Sequence, residues 1–132
     1  MPGLTLQVLP GRLSLCRLEL GTPIPPPADG APLWAALRSA GELSVLVPEG
    51  GEPAGARVER GWRALRVAEP HDLDGSGVTV GILEPLARAR VGVVVVGSFD
   101  TDHVLVREER LAEAVAVLVA ADFAVEDAGA VI

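Results

Sequence analysis

The residues best suited to chemistry gather in two short stretches. The first, Asp72-Leu73-Asp74-Gly75-Ser76-Gly77, spaces its acids as a calcium loop does and puts Gly77 at the sixth position. The twelfth position, where such a loop needs a bidentate glutamate, is Leu83; Glu84 falls one place late, and the segment before the loop reads as a strand. Calcium binding is therefore not expected. His71-Asp72 looks like half of a phosphohydrolase metal pair, yet the chain has only two histidines and no further ligand cluster. The second stretch runs from Ser98 to Glu108. Asp102 and His103 are adjacent, so in a strand their side chains face opposite sides and make a poor acid–base pair. Asp100 and Asp102 fall in a predicted turn, where Asp serves local hydrogen bonds. Ser98 lacks both a nucleophile-elbow context and a histidine placed to activate it.

Composition removes further chemistries. All eleven basic residues are arginines, so phosphate-loop, Schiff-base and kinase lysines are excluded. Tyrosine and asparagine are also absent. The net charge of −7 and a pI near 4.7 disfavour nucleic acid and anionic membranes as partners. Cys16 lies in an alternating apolar run and is expected to be a core thiol, with no second cysteine for a disulfide or a zinc cage. Arg57, Arg60, Arg63 and Arg66 recur every three residues and suggest an exposed basic stripe paired with the excess acids, or open to a protein partner. Trp34 and Trp62 read as core or interface anchors. No signal peptide and no apolar run long enough to span a bilayer are apparent, so the expectation is a cytoplasmic protein. It is expected to need no cofactor and to have no enzymatic activity.

The elements that must position these residues differ between the two halves. Leu4–Leu9 and Arg12–Leu20 are extended candidates joined at Pro10-Gly11. Residues 21–32 carry five prolines and read as an ordered loop. Leu33–Arg38 and Glu42–Val47 flank a Ser39-Ala40-Gly41 turn as a hairpin, although Leu33–Arg38 has the propensities of a short helix as well. The second half alternates more clearly. Arg63–Val67 has strand periodicity, and Val78, Ile82, Leu83, Leu86 and Ala89 recur at helical spacing behind a candidate N-cap, Ser76. Pro85 inside that helix should cost the bond to the Gly81 carbonyl and kink the helix without stopping it. Val91–Val96 reads as a central strand. A turn at Phe99–Asp102 leads to His103–Val106, and Glu108–Asp122 is a second helix with Leu111, Val115, Leu118 and Val119 on one face. Phe123–Val125 closes the order as an edge strand. Strand, helix, strand, strand, helix, strand is the ferredoxin-like α+β plan.

With that order in place, Asp74-Gly75-Ser76-Gly77-Val78, Leu83-Glu84-Pro85-Leu86-Ala87 and the run Ser98-Phe99-Asp100-Thr101-Asp102-His103-Val104-Leu105-Val106-Arg107-Glu108 resemble the ACT domains of the CASTOR-like and aspartokinase-like group. The phrase Glu59-Arg60-Gly61-Trp62-Arg63-Ala64-Leu65 is similar too. The resemblance covers roughly residues 58–125. More weakly, residues 12–57 resemble a reduced counterpart whose first helix has become the proline-rich loop. It implies a tandem: a reduced ACT-like lobe over residues 1–57 and a βαββαβ ACT domain over 58–132.

The resemblance further implies an amino-acid-binding regulatory protein, with the ligand where two ACT lobes meet, commonly across a homodimer. The alternative is a dimerisation or protein-interaction module with no ligand. Carried over by position, the implied contacts are Gly75, Ser76, Gly77 and Val78 in the loop before the first helix. Gly92 and Val93 follow at the start of the second strand, and Ser98, Phe99 and Asp102 at the turn into the third. In the family's arginine sensors an acid stands at the position of Asp102; at the loop, Asp74 replaces the acid of those sensors' binding lobe. The residues themselves suit a zwitterion. Amides at a helix start receive a carboxylate, and Asp102 would pair with an ammonium.

Overall fold

The computed structural model describes residues 4–69 and 77–128, and the chain divides into two compact units, residues 11–62 and residues 1–10 with 63–132. The calcium-like stretch up to Ser76, with His71, Asp74 and Gly75, lies outside the described residues.

The larger unit is the helical one. It contains β1 (Thr5–Val8), the second part of β5 (Arg57–Val67), α1 (Val78–Arg88), β6 (Val94–Gly97), β7 (Asp102–Arg107), α2 (Leu111–Ala120) and β8 (Ala124–Asp127). Its strands run in the order β6-β7-β5-β1-β8, and the sheet is mixed, because β1 is antiparallel to β5 and parallel to β8. This is the expected βαββαβ lobe with one strand added. β1 enters the sheet between β5 and β8, and does not form a hairpin with the strand that follows Pro10-Gly11.

Strand alternation places Leu6, Val8, Leu65, Val67, Val104 and Val106 on one face. Against them lie Val78, Ile82 and Leu86 of α1, and Ala114 and Leu118 of α2. The second helix begins as a 3-10 turn at Glu108–Arg110, and its buried stripe is Leu111, Ala114, Val115 and Leu118. Val119 was expected on that face but is 52% exposed, since a true α-turn rotates it past the core.

Two expectations change here. The valine run is not a central strand: β6 starts at Val94, pairs among the described residues only with β7 and lies at the edge of their sheet, with Val95 41% exposed. A strand reached by a crossover helix and left by a hairpin lands outside its hairpin partner, whatever its hydrophobicity. The N-cap of α1 is Gly77, at φ 96°, in place of the expected Ser76, which lies outside the described residues. The helix runs past Pro85 to Arg88, as the spacing requires.

Both helices end alike. The amides of Arg90 and Val91 donate to Ala87 and Leu86, and those of Asp122 and Phe123 donate to Val119 and Leu118. Each is a Schellman closure, with its left-handed residue at Arg90 (φ 59°) or Asp122 (φ 73°) where glycine is usual.

The smaller unit has no helix. β2 (Leu13–Leu18), β3 (Ala35–Arg38), β4 (Leu43–Pro48) and residues 57–62 of β5 form an antiparallel ladder ordered β3-β4-β2-β5. Leu33–Arg38 thus resolves as strand, and the Ser39 amide closes its hairpin on Glu42. Cys16, Leu18, Leu43, Val45 and Val47 form the core, with Trp34, Ala56 and Val58 packed on it. Burial pushes the Cys16 thiol pKa up, and the Glu52 charge adds to the rise, with Arg60 opposing it. Loop 49–52 is tied down by its own carboxylates. Glu52 accepts from the buried Ser14 hydroxyl at 2.5 Å and from the Gly50 amide at 3.1 and 3.2 Å. Glu49 accepts from the Gly61 amide at 3.2 Å and pairs with Arg12 at 3.1 Å.

Residues three apart in a strand point to opposite faces, so the four β5 arginines do not form a stripe. Trp62 faces Leu13 but Glu59 faces Leu15, so β5 carries an extra residue there, and Gly61 at φ 81° supplies the bulge. Arg60 turns to Glu52 at 3.8 Å, Arg63 to Glu108 at 3.5 Å and Arg66 to the Gln7 amide oxygen at 2.6 Å.

Candidate functional site

The β6–β7 hairpin fixes the acid at its tip end. Val94, Val95, Val96 and Gly97 face Leu105, Val104, His103 and Asp102 in antiparallel register. The turn lies at residues 98–101, one place earlier than the sequence suggested. The Ser98 amide and hydroxyl both donate to the Thr101 carbonyl, at 2.8 and 2.9 Å. Asp102 is therefore the first residue of β7, and its direction is set by the strand. Its Oδ2 accepts a 2.7 Å hydrogen bond from the Thr79 hydroxyl in the first turn of α1. Opposite it, a Cβ at position 97 would lie 3.4 Å from Oδ1, in contact with the carboxylate.

This contact brings two predicted regions together. Gly77, Val78 and Asp102 meet through Thr79, a residue that sequence reasoning missed. The signal for Thr79 was its hydroxyl among the apolar residues of the first turn, but its partner lies 23 residues away. The amides of residues 78–80 have no intrahelical acceptor, as in any helix start. Val78 is buried and packs on the core, so of this residue only the backbone is available. Phe99, at the hairpin tip, is 81% exposed, and Ser98 is exposed with its hydroxyl engaged in the turn. Gly92 and Val93 sit at the other end of β6. Roughly 16 Å of extended chain separates Val93 from Ser98, so the helical unit does not bring them together with Asp102. Gly75 and Ser76 lie outside the described residues.

His103 occupies the opposite face of β7. It is 8% exposed, and its Nδ1 lies 3.2 Å from the Val96 carbonyl, which fixes the proton on Nδ1. Burial drives its pKa below 6.5 and the Arg66 charge lowers it further, against the Val96 bond and Asp102. A cavity of about 290 Å³ beside it is lined by Arg66, Asp100, Ser98 and Thr101. Among the described residues, no group of three His, Cys, Asp or Glu side chains could hold a metal ion, and no helix is long and apolar enough to cross a membrane.

Comparison with known proteins places this geometry. Residues 57–120 match the ACT domain family. The protein Atu0741 from Agrobacterium tumefaciens is similar in fold, with 30% identity and a TM-score of 0.87 over 96% of this chain and 95% of that one. The aspartate kinase of Clostridium acetobutylicum shares the fold at 9% identity and a TM-score of 0.63, over 90% of this chain and 34% of the kinase. Aspartokinase alpha and beta subunits share it at 14% identity and a TM-score of 0.60, over 89% and 96% of the two chains. No curated protein matches by sequence.

Proposed function

The chain belongs to the ACT-domain family, and from that premise we propose that it is a non-catalytic, cytoplasmic regulatory protein that binds a free amino acid. The ligand lies at the Gly77–Thr79 and Ser98–Asp102 end of the helical unit, across a homodimer interface, and needs no cofactor. One observation carries this reading: the Thr79–Asp102 hydrogen bond holds a carboxylate beside the first turn of α1, whose leading amides have no intrahelical acceptor. An α-ammonium pairs with Asp102, while the α-carboxylate receives the helix amides, so the two poles of a zwitterion are met within one site.

A thermal-shift screen of the twenty amino acids tests it. A ligand at 100 times its Kd adds about 2.7 kcal/mol of stability. Asp102→Asn should weaken the response at least about tenfold, as expected when a hydrogen bond to a charged group is lost. A flat screen with folded protein, or an unchanged response in Asp102→Asn, removes this reading.

A second reading is a dimerisation module without ligand. It is favoured by the β6 edge, unpaired among the described residues, where Val95 stands 41% exposed. It predicts a stable dimer in sedimentation experiments together with a flat amino-acid screen.

A further inference from the structure

Arg17 of β2 and Arg57 of β5 are direct cross-strand partners in the smaller unit. Opposed residues in an antiparallel pair hold their Cβ atoms about 5 Å apart, and two like charges at that distance destabilise the pair. Carboxylates stand near, Glu19, Glu42 and Glu59, yet none of them forms an ion pair with either arginine. The Arg57 side chain makes no hydrogen bond or ion pair among the described residues, and Arg17 reaches only the Gly41 carbonyl at a long 3.4 Å. This stands out in a chain of net charge −7, whose other β5 arginines are all engaged. Both guanidinium groups line two cavities of about 360 Å³ each. One continues over Leu18, Leu20 and Gly55; the other runs past Ser44, whose hydroxyl donates to Glu42 at 2.5 Å.

We infer that the Arg17–Arg57 pair is a binding site for the phosphoryl group of a small metabolite. Two adjacent guanidinium forks carry two positive charges and match a compact dianion, whereas one carboxylate would neutralise only half of them. The cavities have small-molecule dimensions. Glu19, Glu42 and Glu59 also line them and repel an extended polyanion, which excludes nucleic acid and an anionic bilayer as occupants. A single phosphoryl group needs only the two arginines, and the body of the metabolite lies along Leu20. The site belongs to the smaller unit and is independent of amino-acid binding at Asp102.

Inorganic phosphate is the first probe, added to the full chain at constant ionic strength against chloride. The expected result is a saturable rise in thermal midpoint, weakened at least about tenfold by Arg57→Gln and likewise by Arg17→Gln, the loss of one charge-assisted contact. Without phosphate and at low salt, Arg57→Gln should be no less stable than the parent, because it relieves a like-charge contact. Arg38→Gln, which removes another exposed arginine of the same unit, should leave the phosphate response unchanged. No saturable response, an equal loss in Arg38→Gln, or a full response in both Arg17→Gln and Arg57→Gln overturns the site. Free O-phosphoserine and a phosphoserine peptide separate the sources of the group. Tighter binding of the peptide would overturn the small-metabolite assignment.

Discussion

The two units solve the same problem, covering one face of a short sheet, by different means. In the helical unit α1 and α2 lay Val78, Ile82, Leu86, Ala114 and Leu118 on the strands, and regular backbone hydrogen bonding satisfies the covering layer internally. In the smaller unit irregular chain does the covering. Trp34 and Ala56 pack on Cys16, Leu18, Leu43, Val45 and Val47, and prolines and glycines fill the connections. Irregular backbone needs other partners, and there they are side chains: Glu52 and Glu49 gather the amides of Gly50 and Gly61 and the hydroxyl of Ser14. Prolines in such loops also lower the conformational entropy of the unfolded chain, which offsets part of the cost of ordering them. The contrast teaches that a sheet can be covered without helices if carboxylates and prolines take over their work.

The largest test of that contrast is core truncation. Leu118→Ala removes a fully buried side chain by which α2 packs on the helical unit's core and should cost about 3–4 kcal/mol. Val45→Ala, equally buried in the smaller core, should cost about 2 kcal/mol, by the fewer methyl groups removed. Urea midpoints for both variants check the order. Equal losses would mean that the smaller core is as rigidly packed as the helical one.

The helices, both hairpins and the buried Cys16 were legible in the sequence because each is written in local periodicity or turn chemistry. The spacing of Val78, Ile82 and Leu86 admits little besides a helix, and Ser39-Ala40-Gly41 sits between two extended runs. Partner choice was not legible. Leu6 and Val8 say that β1 has a buried face, but not that it would join β5 and β8, where Gln7 bonds Glu126 across 119 residues of sequence. The valine run shows the same limit, since hydrophobicity cannot distinguish an edge from a centre. At the site, the residue types at Gly77 and Asp102 were readable, whereas Thr79 became part of it only through a tertiary contact. The Arg17–Arg57 pairing depends on register alone. Period-three spacing of the β5 arginines points to a stripe, which the alternation of faces along a strand dismantles.

The helix closures offer a smaller test, in the stabilising direction. A non-glycine residue held in the left-handed region costs about 1 kcal/mol, which glycine avoids. Asp122→Gly should gain about 1–1.5 kcal/mol, because it also removes an anion from the negative pole of α2. Arg90→Gly should gain less, about 0.5 kcal/mol, since it surrenders a cation favourable at the end of α1. Shifts of the denaturation midpoint at unchanged slope would check both. A loss in either variant would show that the side chain, and not the closure geometry, holds that helix end.

The finest separation of the two units is by acid. His103 in the helical unit has its pKa held below 6.5 by burial, so the unfolded chain binds that proton more readily. Its contribution to stability is complete above pH 6.5 and is lost as pH falls from there through the folded value. Glu52 in the smaller unit is held below 4.5, first by the Ser14 hydroxyl and then by the Gly50 amide. Its contribution is present above pH 4.5 and is lost only as pH drops through its lower folded value. Stability should therefore fall in two steps on acidification, the first from His103 and the second from Glu52. His103→Gln should flatten the first step and leave the second, and Glu52→Gln should do the reverse, with urea midpoints read from pH 7.5 down to about 3. If both steps vanish in one variant, the two groups titrate within one cooperative network, and the division of labour between the units fails.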